Sequence, residues 1–125
     1  MASTLQQVPG TLFELSPQGD GTWRETVLYE FVSTGPVNNL TMDAAGNIYG
    51  TTPGNAFVDD DHYGMVFKLS LVNGSWTFTQ LYEFTGGDDG AFPAGVVAVD
   101  AAGNLYGVCV AGGADEQGTI WEVTP

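Results

Sequence analysis

The sequence predicts an all-β chain made of tandem four-stranded units, and three observations carry that prediction. Gly10-Thr-Leu-Phe13-Glu-Leu15-Ser returns as Gly64-Met-Val-Phe67-Lys-Leu69-Ser and again as Gly118-Thr-Ile-Trp121-Glu-Val123-Thr, 54 residues apart each time. Between these markers, short stretches are rich in aromatics, Val and Thr, and apolar residues fall on alternate positions, as in a half-buried strand. No window sustains helical periodicity, and Gly or Pro, at 18 and 6 residues, interrupts nearly every stretch long enough to hold a helix.

The remaining segments repeat as well. Trp23-Arg-Glu-Thr-Val-Leu-Tyr-Glu-Phe31 matches Trp76-Thr-Phe-Thr-Gln-Leu-Tyr-Glu-Phe84, and Met42-Asp-Ala-Ala-Gly-Asn-Ile-Tyr-Gly50 matches Val99-Asp-Ala-Ala-Gly-Asn-Leu-Tyr-Gly107. The connecting lengths differ by small offsets that cancel, so length varies in loops around fixed strands. A unit then reads as four strands. The first covers residues 40–43 and 96–100 and runs into the Asp-Ala-Ala-Gly-Asn turn, whose Gly suits a left-handed backbone. The second covers 47–52 and 104–110. The third covers 64–70, matched by 10–16 and 118–124, with Val66 out of step with the alternation. The fourth covers 76–84, matched by 23–31. Numbered this way the chain runs 3-4, then 1-2-3-4, then 1-2-3. It divides into an N-terminal extension (1–9), two repeats (10–63 and 64–117) and a duplicated third strand (118–125).

A tandem four-stranded unit of roughly fifty residues is the blade of a β-propeller. Two blades cannot form a ring, and alone they leave apolar faces and strand edges in water. Closure between copies through heterologous interfaces removes both problems. A homotrimer gives six blades and is the favoured closure; a homotetramer gives eight. The two terminal third strands then compete for one slot, which displaces part of 1–16 or of 118–125.

Composition narrows the partners. The chain of 125 residues carries 15 acids against 2 bases, a net charge of −13, so a phosphate backbone or an anionic membrane surface is not an expected partner. Its 43% hydrophobic and 12% aromatic content is too rich for a disordered acidic tail. No apolar run reaches spanning length, and residues 1–10 lack the basic start and apolar stretch of a signal peptide. A single Cys excludes an internal disulfide and a Cys-cluster zinc site.

The order Gly-Thr-Val-Phe-Lys-Leu, Trp…Leu-Tyr-Phe and Asp-Ala-Gly-Asn-Leu-Tyr-Gly resembles the GloVer tandem repeat of bacterial extracytoplasmic proteins. Residues 64–69, 76–84, 43–52 and 100–107 carry the resemblance here. It implies a propeller-type repeat and an exported origin, and it brings no catalytic motif. Relatives are long arrays, whereas this chain holds barely two units.

The loops at 32–39, 53–63, 85–94 and 111–117 vary in length and share one face of such a propeller, the pattern of a scaffold presenting a site. Asp59-Asp60-Asp61-His62 reads either as oxygen ligands for a hard cation, Ca2+ before Zn2+, or as a solvated acidic loop. Asp88 and Asp89 offer the same choice, with a turn preferred because Gly86, Gly87 and Gly90 flank them. Asn38 and Asn39 enter an innermost strand and could face the channel. Together with the loop acids they are the candidate ligands of a calcium-type or other divalent-cation hydrolase of lactones, esters or phosphotriesters. His62 is then the one candidate general base, or else an exposed loop residue. Cys109 reads as a buried thiol, with a nucleophilic role only if His62 comes near it. Asn47, Tyr49, Asn104 and Tyr106 recur in both units, as turn and strand residues or as glycan or small-molecule contacts between blades. The leading functional expectation is a self-assembling ligand-binding or structural scaffold. The hydrolase and a glycan-binding propeller are the alternatives.

Overall fold

The computed structural model describes residues 10–31, 38–54 and 62–125. Within them lie nine strands and no helix. Strands β1 (Thr11–Pro17) and β2 (Trp23–Glu30) form a hairpin. Strands β3 (Thr41–Met42), β4 (Ile48–Thr52), β5 (Met65–Val72) and β6 (Ser75–Glu83) form a four-stranded sheet in sequential order. Strands β7 (Ala91–Val99), β8 (Leu105–Ala111) and β9 (Thr119–Val123) form a three-stranded sheet. All pairings are antiparallel, so the order 3-4, 1-2-3-4, 1-2-3 read from the repeats is the order of the sheets.

Local chemistry accounts for the turns. Asn73 and Gly74, at φ of 51° and 81°, make a two-residue connection between Val72 and Ser75, the left-handed pair that matches strand twist. Gly46 and Gly103, at φ of 85° and 87°, occupy the left-handed position expected in each Asp-Ala-Ala-Gly-Asn turn.

Most strand ends fall within two residues of the periodicity reading, and two departures from it have a local cause. Strand β3 is Thr41–Met42 alone, because Asp43 accepts hydrogen bonds inside the turn. Strand β7 begins at Ala91 instead of residue 96, so part of the expected 85–94 loop is strand. Pro93 and Gly95 look like breakers in sequence. A register shift between Ala94 and Ala98, with Phe92 and Gly95 at positive φ, absorbs them and keeps Pro93 opposite Cys109.

The four-stranded sheet is covered on both faces. One face meets the β1–β2 hairpin through Leu12, Phe31, Ile48, Phe67 and Leu69, all buried, with Tyr29 stacked on Phe78 at 4.3 Å. The other meets the three-stranded sheet through Tyr49, Val66, Phe84, Val97, Leu105, Cys109 and Trp121. Val66 broke the alternation because neighbouring Val66 and Phe67 are both fully buried, one toward each flanking sheet.

Candidate functional site

The two Asp turns are built alike, to within about 0.1 Å. Asp43 Oδ1 accepts the backbone N–H of Ala45 and of Asn47 at 2.9 Å, and its Oδ2 accepts Asn47 Nδ2 at 2.8 Å and the Tyr49 hydroxyl at 3.0 Å. Asp100 does the same with Ala102, Asn104 and Tyr106, at 2.9, 2.9, 2.8 and 3.1 Å. The Asn side-chain hydrogen bond is the main cause holding each Asp below its ordinary pKa. Burial and the bond to the carboxylate push Tyr49 and Tyr106 up. In both turns the Asn amide and the Tyr hydroxyl, which the sequence offers as turn and strand residues or as ligand contacts, donate to their own turn's Asp. The hub, Asp43 or Asp100, was missed. Its signal was present: an Asp four residues before the Asn and six before the Tyr, in both repeats.

Asp89 organises the loop after β6 in a similar way. It accepts Thr85 N at 2.9 Å, Thr85 Oγ1 at 2.6 Å and the Tyr82 hydroxyl at 2.9 Å. Burial works against its ionisation, but the Thr85 and Tyr82 bonds outweigh it and lower the pKa. Asp88 is exposed in the same turn.

Asn38 ties two sheets together. Its Nδ2 donates to Thr51 Oγ1 at 3.0 Å and to the Pro93 carbonyl at 2.7 Å, while Thr41 Oγ1 donates to the Val97 carbonyl at 2.6 Å. Asn39 is exposed. His62 is half-exposed and lies 3.2 Å from Glu83 Oε1 through Nδ1. Asp59, Asp60 and Asp61 lie outside the described residues. Among the described residues, no three His, Cys, Asp or Glu side chains converge on a common point. Cys109 is buried, and desolvation pushes its thiol up to about 11, so it is a poor nucleophile.

The least satisfied surfaces lie at the two ends of the sheet stack. Equivalent positions in the repeats differ sharply in exposure according to whether a neighbouring sheet covers them. Val66 is 0% exposed, whereas its repeat counterpart Ile120 is 85% exposed. Phe67 is 0% exposed and its counterpart Phe13 is 52%. Val97 is 1% exposed and its counterpart Leu40 is 45%. A cleft of about 310 Å³ runs along the free edge of β9, lined by Tyr82, Phe84, Asp89, Ile120, Trp121 and Val123. A second, of about 330 Å³, opens beside the hairpin, lined by Leu12, Leu28, Leu40, Met42, Ile48 and Trp76.

These clefts lie beside the two sheets that have fewer than four strands among the described residues. At the first, a three-stranded sheet lacks the fourth strand that β6 supplies to the sheet beside it. At the second, the hairpin lacks the first and second strands.

Among the described residues no helix is long and apolar enough to cross a membrane. No curated protein and no solved structure matches the chain significantly. A family model does match it along its whole length, and on residues 1–125 the chain belongs to the Gloeobacter/Verrucomicrobia repeat family.

Proposed function

We propose that this chain is a self-assembling structural module whose sheets are propeller blades, completed when copies associate head to tail. The observation that carries the reading is the repetition of one interface. Phe31 meets Phe67 across the first pair of sheets at 5.6 Å and 65°, and Phe84 meets Trp121 across the second pair at 5.9 Å and 59°. A contact made twice within the chain is available a third time between chains, because Ile120 and Val108 on one outer face match Val66 and Thr51, which are buried inside.

Burying those side chains offers the main driving force, at roughly 25 cal/mol for each Å² of apolar surface removed from water. Strand edges left open on the hairpin and on β9 gain partners at the same time. A three-fold ring of six blades uses every repeat in the same way. The loops around His62 and Asp88 stand on one rim of that ring as a display surface. An extracytoplasmic setting, implied by the resemblance to bacterial repeat proteins, belongs to the same proposal.

Light scattering coupled to size exclusion tests it. The expected mass is three times the 13.2 kDa of the single chain. A single-chain mass at all concentrations up to the solubility limit rules the assembly out.

A further inference from the structure

We infer that assembly proceeds by strand exchange: β9 of one copy takes the place of β1 beside β2 of the next copy, and β1 leaves the sheet. This rests on the head-to-tail reading and specifies its seam.

The last strand repeats the first. Gly10-Thr11-Leu12-Phe13-Glu14-Leu15-Ser16-Pro17 and Gly118-Thr119-Ile120-Trp121-Glu122-Val123-Thr124-Pro125 share Gly, Thr, Glu and Pro at the same places, and the other positions keep their character. Both segments are third strands by register. The β1–β2 ladder pairs Leu12 with Tyr29, Phe13 with Val27 and Leu15 with Glu25, with a shift between Leu12 and Phe13. The β5–β6 ladder pairs Val66 with Tyr82, Phe67 with Gln80 and Leu69 with Phe78, with its shift at the equivalent place. Laid on the same register, β9 would set Ile120 opposite Tyr29, Trp121 opposite Val27 and Val123 opposite Glu25. That register uses the edge of β2 that β1 already occupies, so one strand excludes the other.

Packing decides which strand stays. A completed third strand must bury both faces, as β5 does with Val66 and Phe67. β9 has its large residue seated already: Trp121 is buried so close to Gly107 that a Cβ there would lie 2.1 Å from Cζ2. Putting Phe13 in that place would leave a void. Putting Ile120 where Leu12 sits, against Ile48 and Phe67, conserves volume, and such swaps are the best tolerated in a core. The exchange therefore buries Ile120 at the position of Leu12 and keeps Trp121 where it is. The cleft along β9 is the seat of the incoming β2, and the cleft beside Leu40 and Met42 takes the sheet that arrives with β9.

Paired cysteines in the full chain test the seam. Glu25→Cys with Val123→Cys reports β9 on β2, and Glu25→Cys with Leu15→Cys reports β1 on β2, because residues facing each other in a ladder hold their Cβ atoms within roughly 5.5 Å. Each variant is treated with a short thiol cross-linker at a concentration where light scattering reports the assembly, then run under denaturing conditions. Covalent multimers from Glu25→Cys/Val123→Cys, with no intrachain bridge from Glu25→Cys/Leu15→Cys in the assembled fraction, are expected. An intrachain bridge between the latter pair in assembled material, with the former pair unlinked, overturns the exchange and leaves the assembly reading standing. A single-chain mass for the unmodified protein overturns both.

Discussion

Trp121 lies over Gly107 so closely that the glycine functions as part of the tryptophan's seat. A Cβ at Gly107 would fall 2.1 Å from Cζ2 and 2.6 Å from Cε2 of the indole. The same relation holds one repeat earlier, where a Cβ at Gly50 would fall 2.7 Å from Cζ of Phe67. Both glycines come two residues after the leucine or isoleucine that opens the second strand, and both face the aromatic of the third strand across the ladder. Packing, and not backbone freedom, makes glycine necessary here.

Gly107→Ala is expected to destabilise the fold by about 1–3 kcal/mol through overpacking. Trp121→Ala should cost more, about 3–5 kcal/mol, since it empties the centre of the core between the second and third sheets. The sharper expectation concerns the pair. Trp121→Leu removes the ring atoms that the new methyl would strike, so the double variant Gly107→Ala/Trp121→Leu should be less destabilised than the two single effects added together. A coupling of about 0.5–3 kcal/mol is typical of residues in direct contact. Urea unfolding followed by circular dichroism, at one fixed protein concentration, measures it. Strict additivity would mean that the alanine is accommodated elsewhere.

The Asp turns make the fold sensitive to acid. Asp43 and Asp100 are held below their ordinary pKa by Asn47 and Asn104 foremost, and Asp20 by Thr22. A carboxylate with a depressed folded pKa binds fewer protons folded than unfolded. Its stabilisation is therefore fully present above the ordinary carboxylate range and fades as pH falls through the depressed folded value. The melting midpoint should stay level with respect to these groups above about pH 5 and drop below about pH 4. Asp100→Asn replaces an accepting oxygen with an amide that opposes both the Asn104 amide and the Tyr106 hydroxyl. It should lower the midpoint at neutral pH and flatten the acid slope, whereas a parallel shift at all pH values would deny the turn its role.

The proposed self-association would have to overcome like charge. Each copy carries −13, so closing a ring crowds acidic chains around one axis. Screening shortens from about 30 Å at 0.01 M salt to about 8 Å at 0.15 M. The midpoint concentration of assembly, followed by light scattering, should fall as NaCl rises across that range. Weaker assembly in salt would point to attraction between charges at the seam, which the apolar residues there do not supply.

The strand order was legible because each strand's pattern repeats, and repetition separates the residues that pack from those that vary. Leu12, Val66 and Ile120 occupy one position in three copies, and that recurrence marks the third strand without reference to any contact. Strand β7 was cut short because Pro93 and Gly95 carry the composition of a loop, and only a bulge with Phe92 at positive φ keeps them in the ladder. Asn47 and Tyr49 were recognised as a recurring pair, but their partner was not. Hydrogen bonding to Asp43 depends on turn geometry that alternation does not encode. Asn38 reads from sequence as entering an innermost strand that could face a channel, and its tie between two sheets, through Thr51 and Pro93, depends on a tertiary contact that the pattern does not encode.

Ile120 separates folding from assembly more cleanly than any core residue. At 85% exposure it contributes little to the single chain, so Ile120→Asp should leave that chain's circular dichroism spectrum unchanged. In the proposed assembly the same position corresponds to Val66, which has no exposure at all, and a carboxylate there would be buried among Ile48 and Phe67 without a partner. Ile120→Asp is therefore expected to remain a single chain at concentrations where the unmodified protein associates. Ile120→Leu, which keeps the volume, should associate normally. If Ile120→Asp assembles as readily as the unmodified chain, the outer face of β9 is not the seam, and association must run through the hairpin face of Phe13 and Trp23 instead.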